Sequence, residues 1–215
     1  MKIENTTNTK GKIFPAIIFA LELYALPIQF YLLLEGSEFT FFSAAVRFFS
    51  FFTILTNTIV FLYCTTLLFF GKSKIHSFFS KYTTITAVTV YILIVGIVFN
   101  LLLRSIVNLE GQHRIVSEIF HTVVPVLFFV YWLFFISTEK ISYKAILFWL
   151  LYPVIYMIYT LFHGVMTSFY PYPFIDVTKL GFKTAIRNGL FVLISFIILS
   201  IILIFISKIR SKKTN

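Results

Sequence analysis

The chain has 215 residues, 59% of them hydrophobic and 20% aromatic against only 12% charged, with a mean hydropathy of +0.94. That balance excludes a soluble globular domain, and the single cysteine, Cys64, excludes an internal disulfide and a cysteine-rich metal site. The formal net charge of +10 would suit a nucleic-acid surface, but the basic residues fall mostly in short loops and no RNA- or DNA-reading motif accompanies them, so nucleic acid is not expected as a partner.

A helix that crosses a hydrocarbon core of roughly 30 Å needs about 20 mostly apolar residues. The chain begins with a polar stretch, MKIENTTNTKGK, expected to form a flexible tail over 1–12. Apolar runs then follow at 13–34, 49–71, 84–106, 117–137, 145–167 and 186–207. The first is too long for a signal-peptide core and no small-residue cleavage pattern follows it, so it is expected to remain as a span. Between the first two runs, GSEFTFFSAAVRFF is apolar enough to lie in the outer interface. The longest loop, TSFYPYPFIDVTKLGFKTA, precedes the sixth run. Tyrosine prefers the membrane interface and the closely spaced prolines stiffen the turn, so Tyr170, Tyr172 and Phe174 are expected to cap the outer mouth of the bundle. The chain closes on a basic tail, 208–215, suited to anionic lipid headgroups. The expected architecture is therefore all-α: a polytopic membrane protein whose six-transmembrane-helix bundle fills 13–207.

Charge orients the bundle. With six spans both termini share a side, and that side collects twelve of the eighteen lysines and arginines. The other side holds Arg47, Arg104, Arg114, Lys179, Lys183 and Arg187. The positive-inside rule then places both termini in the cytoplasm. No internal repeat of the kind that marks many transporters is visible.

Given that orientation, each polar residue within a span acquires a depth. Thr53 on the second span and His121 on the fourth both lie about four residues from the outer end, Asn100 about six on the third, and His163 about four on the fifth. Glu22 is deeper, near the middle of the first span. The inner half reads as almost purely Leu, Ile, Val and Phe. Residues three or four apart share a helical face, which makes stripes of Thr53, Thr56 and Asn57, of Tyr156, Tyr159 and His163, and of Asn100 with Arg104. Polar stripes facing lipid are costly, so these are expected to face one another. The plain alternative is that they only join helices through hydrogen bonds, and threonine can also bond to its own backbone.

A histidine at membrane depth costs about 2.5–3.5 kcal/mol on insertion scales when charged side chains are the yardstick, and it usually faces a protein-lined interior. There His121 has the chemistry of a general base and Thr53 the hydroxyl it would activate. Glu118, one turn above His121, is a candidate to orient the ring. Asn57, Asn100 and His163 are candidates to donate to an oxyanion. Thr56 and Tyr159 would line the same cavity. The competing readings are a non-enzymatic lipid or small-molecule binding protein using that cavity, and a transporter using Glu22. His76, His113, His121 and His163 are not spaced as a metal motif, and no GxSxG, Walker A or GxGxxG pattern occurs. No metal and no cofactor are expected.

Three motifs carry a resemblance: FFTILTNTIV at 51–60, HTVVPVLFFVYW at 121–132 and YPYPF at 170–174. In this order the chain resembles the androgen-induced membrane-protein family, in particular its bacterial six-span branch, over nearly its whole length. The resemblance implies an intramembrane threonine hydrolase of fatty acid esters of hydroxy fatty acids, with Thr53, in Phe51-Phe52-Thr53, and His121, followed by Thr122 and Pro125, as the essential pair. It implies a fatty-acyl ester as substrate and a bacterial plasma membrane as the location. The chain departs from the animal pattern at Thr56, where that pattern is acidic, and in a shorter spacing from His121 to the proline.

Overall fold

The computed structural model describes residues 9–36, 38–71, 73–136 and 141–213. Among these residues there is no strand, and six helical segments are long and apolar enough to cross a membrane: Gly11–Glu35, Phe52–Phe69, Tyr82–Ile106, Gly111–Phe135, Ala145–Thr167 and Phe182–Ser211. The protein is an all-α, multi-pass integral membrane protein. It divides into two units, residues 1–139 with four of the spans and 140–215 with two.

In the first unit, α1 (Thr9–Glu35) begins inside the stretch expected to be a flexible tail; residues 1–8 lie outside the described residues. It carries Pro15 and Pro27 within the helix, which a membrane helix tolerates because neighbouring helices compensate for the lost hydrogen bonds. A short helix, α2 (Phe41–Phe49), is capped by Thr40, whose hydroxyl accepts from the Ser43 N–H at 3.3 Å. Its Phe41 and Phe42 stay about three-quarters exposed, at 72% and 77%, which suits a helix lying in the membrane interface. The second span, α3 (Phe52–Phe69), starts at Phe52 rather than at 49 because α2 turns into it through Ser50 and Phe51. After the short α4 (Lys74–Phe79), the third span is α5 (Tyr82–Val98) extended through residues 99–106. The fourth joins α6 (Gly111–Glu118) to α7 (Val124–Phe135). It begins at Gly111 rather than at 117, since the amphipathic GQHRIVSE winds onto the apolar run.

These helices are apolar on all sides, so burial alone does not set their rotation. Small residues and polar pairs do that. At the end of the unit remote from Thr53, the Tyr63 and Tyr131 hydroxyls are 2.9 Å apart, and Trp132 Nε1 donates to Thr86 Oγ1 at 3.0 Å. The Thr86 hydroxyl in turn donates to the Tyr82 carbonyl at 2.8 Å. Tyr63, Thr86, Tyr131 and Trp132 are all buried, so the inner half is not the purely aliphatic and phenylalanine layer the sequence suggests. Such bonds between spans contribute on average about 0.6 kcal/mol each.

In the second unit, α8 (Ala145–Trp149) and α9 (Leu151–Thr167) form the fifth span, broken at Leu150. Ser168 closes α9 in the left-handed region, φ 56°. The loop then passes a 3₁₀ turn at Pro173–Ile175 and α10 (Val177–Leu180) before α11 (Phe182–Lys213). Asp176 caps α10: its Oδ1 accepts from the Thr178 N–H at 3.0 Å and the Thr178 hydroxyl at 2.5 Å, bonds that hold its carboxyl below the usual range. Asn188 of α11 donates to the Phe174 carbonyl at 2.9 Å. The basic tail continues α11 through Lys213, with Lys208 Nζ 3.8 Å from the centre of the Tyr143 ring.

Tyr170 is buried where Gly164 leaves no side chain, and a Cβ at Gly164 would run into Tyr170 Cε1 and Cζ, an overlap the ring must yield to. Gly164→Ala should therefore expel that ring and cost about 1–3 kcal/mol. Limited proteolysis is the check: cleavage within 168–181 is expected to accelerate in the variant, and unchanged cleavage would show that the loop does not depend on this contact.

Candidate active site

Thr53 is the second residue of α3, after Phe51 in extended conformation (φ −85°, ψ 128°). Its hydroxyl therefore stands in the first turn, where main-chain N–H groups point out of the helix and the helix dipole is positive. His121 lies in a π-helical turn, Ile119–Val123, between α6 and α7. A second π turn, Phe99–Leu103, lies near the end of the third span and packs against it. Such turns insert one residue into a helix, are rare, and occur frequently at functional sites.

The result is a convergence of two side chains from separate spans. His121 Nε2 lies 3.4 Å from Thr53 Oγ1. On the other side of the ring, Nδ1 is 2.8 Å from the Ser117 carbonyl oxygen and 3.2 Å from the Ser117 hydroxyl. A carbonyl can only accept, so Nδ1 carries the proton and the bare Nε2 lone pair faces the threonine hydroxyl. Phe99 stacks on the imidazole with centroids 3.8 Å apart and planes 15° from parallel. The ring is thus fixed at one edge and on one face. The 3.4 Å separation is looser than a working nucleophile–base bond, as such pairs commonly are without substrate.

Two expected roles are not what the structure assigns. Glu118 does not orient the ring. It accepts both Arg104 terminal nitrogens, at 2.6 and 2.8 Å, and the Thr122 hydroxyl at 2.9 Å; the orienting group is the Ser117 carbonyl, one turn before His121. Asn100 has no N–H to offer an oxyanion, because its Nδ2 donates to the carbonyls of Gly96 at 2.9 Å and His121 at 3.0 Å. Asn57 donates one of its two Nδ2 N–H groups to the Thr53 carbonyl at 2.9 Å, and its Oδ1, which cannot donate, has no partner among the described residues. Thr56 and Asn57 are both fully buried. Glu22 is fully buried too, with neither carboxyl oxygen hydrogen-bonded within the described residues.

The second unit holds the other candidates. There the Tyr159 and His163 rings lie 5.5 Å apart, and the Thr167 hydroxyl donates to the His163 carbonyl at 2.7 Å. Tyr172 stacks on Phe174 at 5.4 Å beside the buried Tyr170. Among the described residues no three His, Cys, Asp or Glu side chains converge as metal ligands.

Comparison with family models, curated proteins and solved structures returns no match.

Gly96 sets how closely the third and fourth spans approach. A Cβ there would lie 3.0 Å from the His121 carbonyl oxygen and 3.2 Å from Pro125 Cβ. Gly96→Ala should push the fourth span outward by a few tenths of an ångström, weakening the Thr53–His121 contact at a stability cost of about 1 kcal/mol or more. The readout is helix content during titration with a denaturing detergent: the variant is expected to unfold earlier, and an unchanged midpoint would argue that the interface has slack to spare.

Proposed function

We propose that the protein is an intramembrane lipid-ester hydrolase in which Thr53 is the nucleophile and His121 the general base. The observation that carries the proposal is the 3.4 Å approach of Thr53 Oγ1 to a His121 Nε2 whose tautomer is set by the Ser117 carbonyl. In this reading the Thr53 oxygen attacks the acyl carbonyl while its proton passes to Nε2. The oxyanion develops beside the positive N-terminal turn of α3, the arrangement best suited to it. Collapse of the intermediate breaks the ester bond, and the alcohol leaves with the proton from Nε2. Water, activated by the same imidazole, then hydrolyses the acyl-threonine.

A fatty-acyl ester fits the surroundings, because an apolar membrane interior solvates an acyl chain and not a soluble substrate. The resemblance of three ordered motifs to the androgen-induced membrane-protein family supports the same substrate class and a bacterial plasma-membrane location. The orientation with both termini cytoplasmic, supported by the lysine and arginine bias, would open the pair toward the outer leaflet.

The test is labelling of the purified full chain by a serine/threonine-reactive lipid phosphonate, followed by peptide mapping. A single adduct on Thr53 that disappears in Thr53→Ala and His121→Ala is expected. Adduct formation at equal rate in all three proteins would sink the assignment.

A further inference from the structure

The hydrogen bonds around Asn100 have a consequence beyond the nucleophile–base pair. Pro125 lies four residues after His121 and has no N–H, so it cannot give the His121 carbonyl its helical hydrogen bond. That carbonyl belongs to a π turn, an arrangement less stable than the α-helix around it and in need of outside support. Asn100 donates to that carbonyl at 3.0 Å, from the π turn of the facing span, in place of the α-helical N–H that Pro125 lacks. The amide cannot be flipped: its nitrogen faces two carbonyls, which only accept, and its oxygen faces Arg104 Nε at 2.7 Å, which only donates.

We infer that Asn100 is a positioning residue, holding the main chain of His121 so that its ring stands between the Ser117 carbonyl and the Thr53 hydroxyl. Arg104 and Glu118 brace it. The guanidinium grips the Asn100 oxygen with Nε and both Glu118 oxygens with its terminal nitrogens, while Thr122 donates to Glu118 and accepts from Arg104 at 3.1 Å. The Arg104 and Glu118 side chains, 42% and 34% exposed, are joined by a bidentate bond that fixes the guanidinium plane, and through it they keep one amide in one orientation. The adjacent residue of the same π turn, Phe99, presses the ring face. One widened turn thereby controls both the main chain and the ring of the base.

The inference rests on the hydrolase reading, but its first test does not require activity. Nitrogen NMR of the full chain labelled at histidine ring nitrogens, with the His121 signals identified by their loss in His121→Gln, reads the tautomer. The native protein is expected to show protonated Nδ1 and bare Nε2. Asn100→Ala, and Asn100→Asp, which keeps the shape but loses both donors, are expected to show an averaged mixture of tautomers. Phosphonate labelling of both should slow about tenfold to a hundredfold, the scale of a misplacement near 1 Å. Asn100→Gln, with both donors on a longer arm, should recover part of each signal. A single native tautomer with native labelling in Asn100→Ala or Asn100→Asp overturns the inference; should neither fold, Arg104→Lys is judged by the same criterion. Native tautomer without labelling in the unaltered protein counts against the hydrolase reading instead, and leaves the positioning role standing.

Discussion

Removal of the His121 imidazole should slow acylation of Thr53 about 100- to 10,000-fold, the usual worth of a positioned general base. The expectation follows from one geometric fact. Nε2 is the ring nitrogen left for the threonine, since Nδ1 is spent on the Ser117 carbonyl and Phe99 covers one face of the ring. His121→Gln keeps a polar group of similar reach but cannot accept a proton at neutral pH. It should therefore be nearly as slow as His121→Ala, whereas a helix-packing role would let glutamine substitute. Thr53→Ser retains the hydroxyl and should remain acylated, while Thr53→Ala and Thr53→Val should not. Measured rates of phosphonate adduct formation decide the matter: if Thr53→Val labels like the native protein, the nucleophile lies elsewhere.

What could be read in the sequence and what could not divide along a physical line. Span number was legible because insertion depends on the length of an apolar run, a local property. The starts of spans were less so: GQHRIVSE is too polar to register as membrane-spanning, yet it winds into the fourth helix because helices propagate once begun. The common depth of Thr53 and His121 follows from counting residues along the second and fourth spans, which run in the same direction, and the structure brings the two within 3.4 Å. The groups that fix the imidazole carry no such sequence signal. Ser117 acts through its main-chain carbonyl and Phe99 through a ring face, so neither has a distinctive residue type to betray it. Glu118 is charged and one turn from His121, but Arg104, fourteen positions away in sequence, takes both of its oxygens. Spacing along one helix indicates which side chains share a face; it does not indicate the partner across the interface.

Glu22→Met should stabilise the protein by about 1–3 kcal/mol, the range that mutational data assign to an enclosed polar group without partners. Glu22 has no exposed surface, and neither carboxyl oxygen is hydrogen-bonded within the described residues. Removing it leaves no counter-ion stranded, unlike the breaking of a buried ion pair. Methionine fills nearly the same space with a flexible apolar chain, so little packing is lost. Glu22→Gln, which remains polar and adds donors needing acceptors, should not share the gain. The readout is helix content during titration with a denaturing detergent. Acylation of Thr53 should be untouched in Glu22→Met, because Glu22 lies near Cys64, eleven residues along α3 from Thr53, about 16 Å at the helical rise. If Glu22→Met instead destabilises the chain, the carboxyl has a partner that holds the first span in place. If it abolishes acylation at native stability, the proton economy of the site reaches to the middle of the membrane, and the transport reading of Glu22 regains its ground.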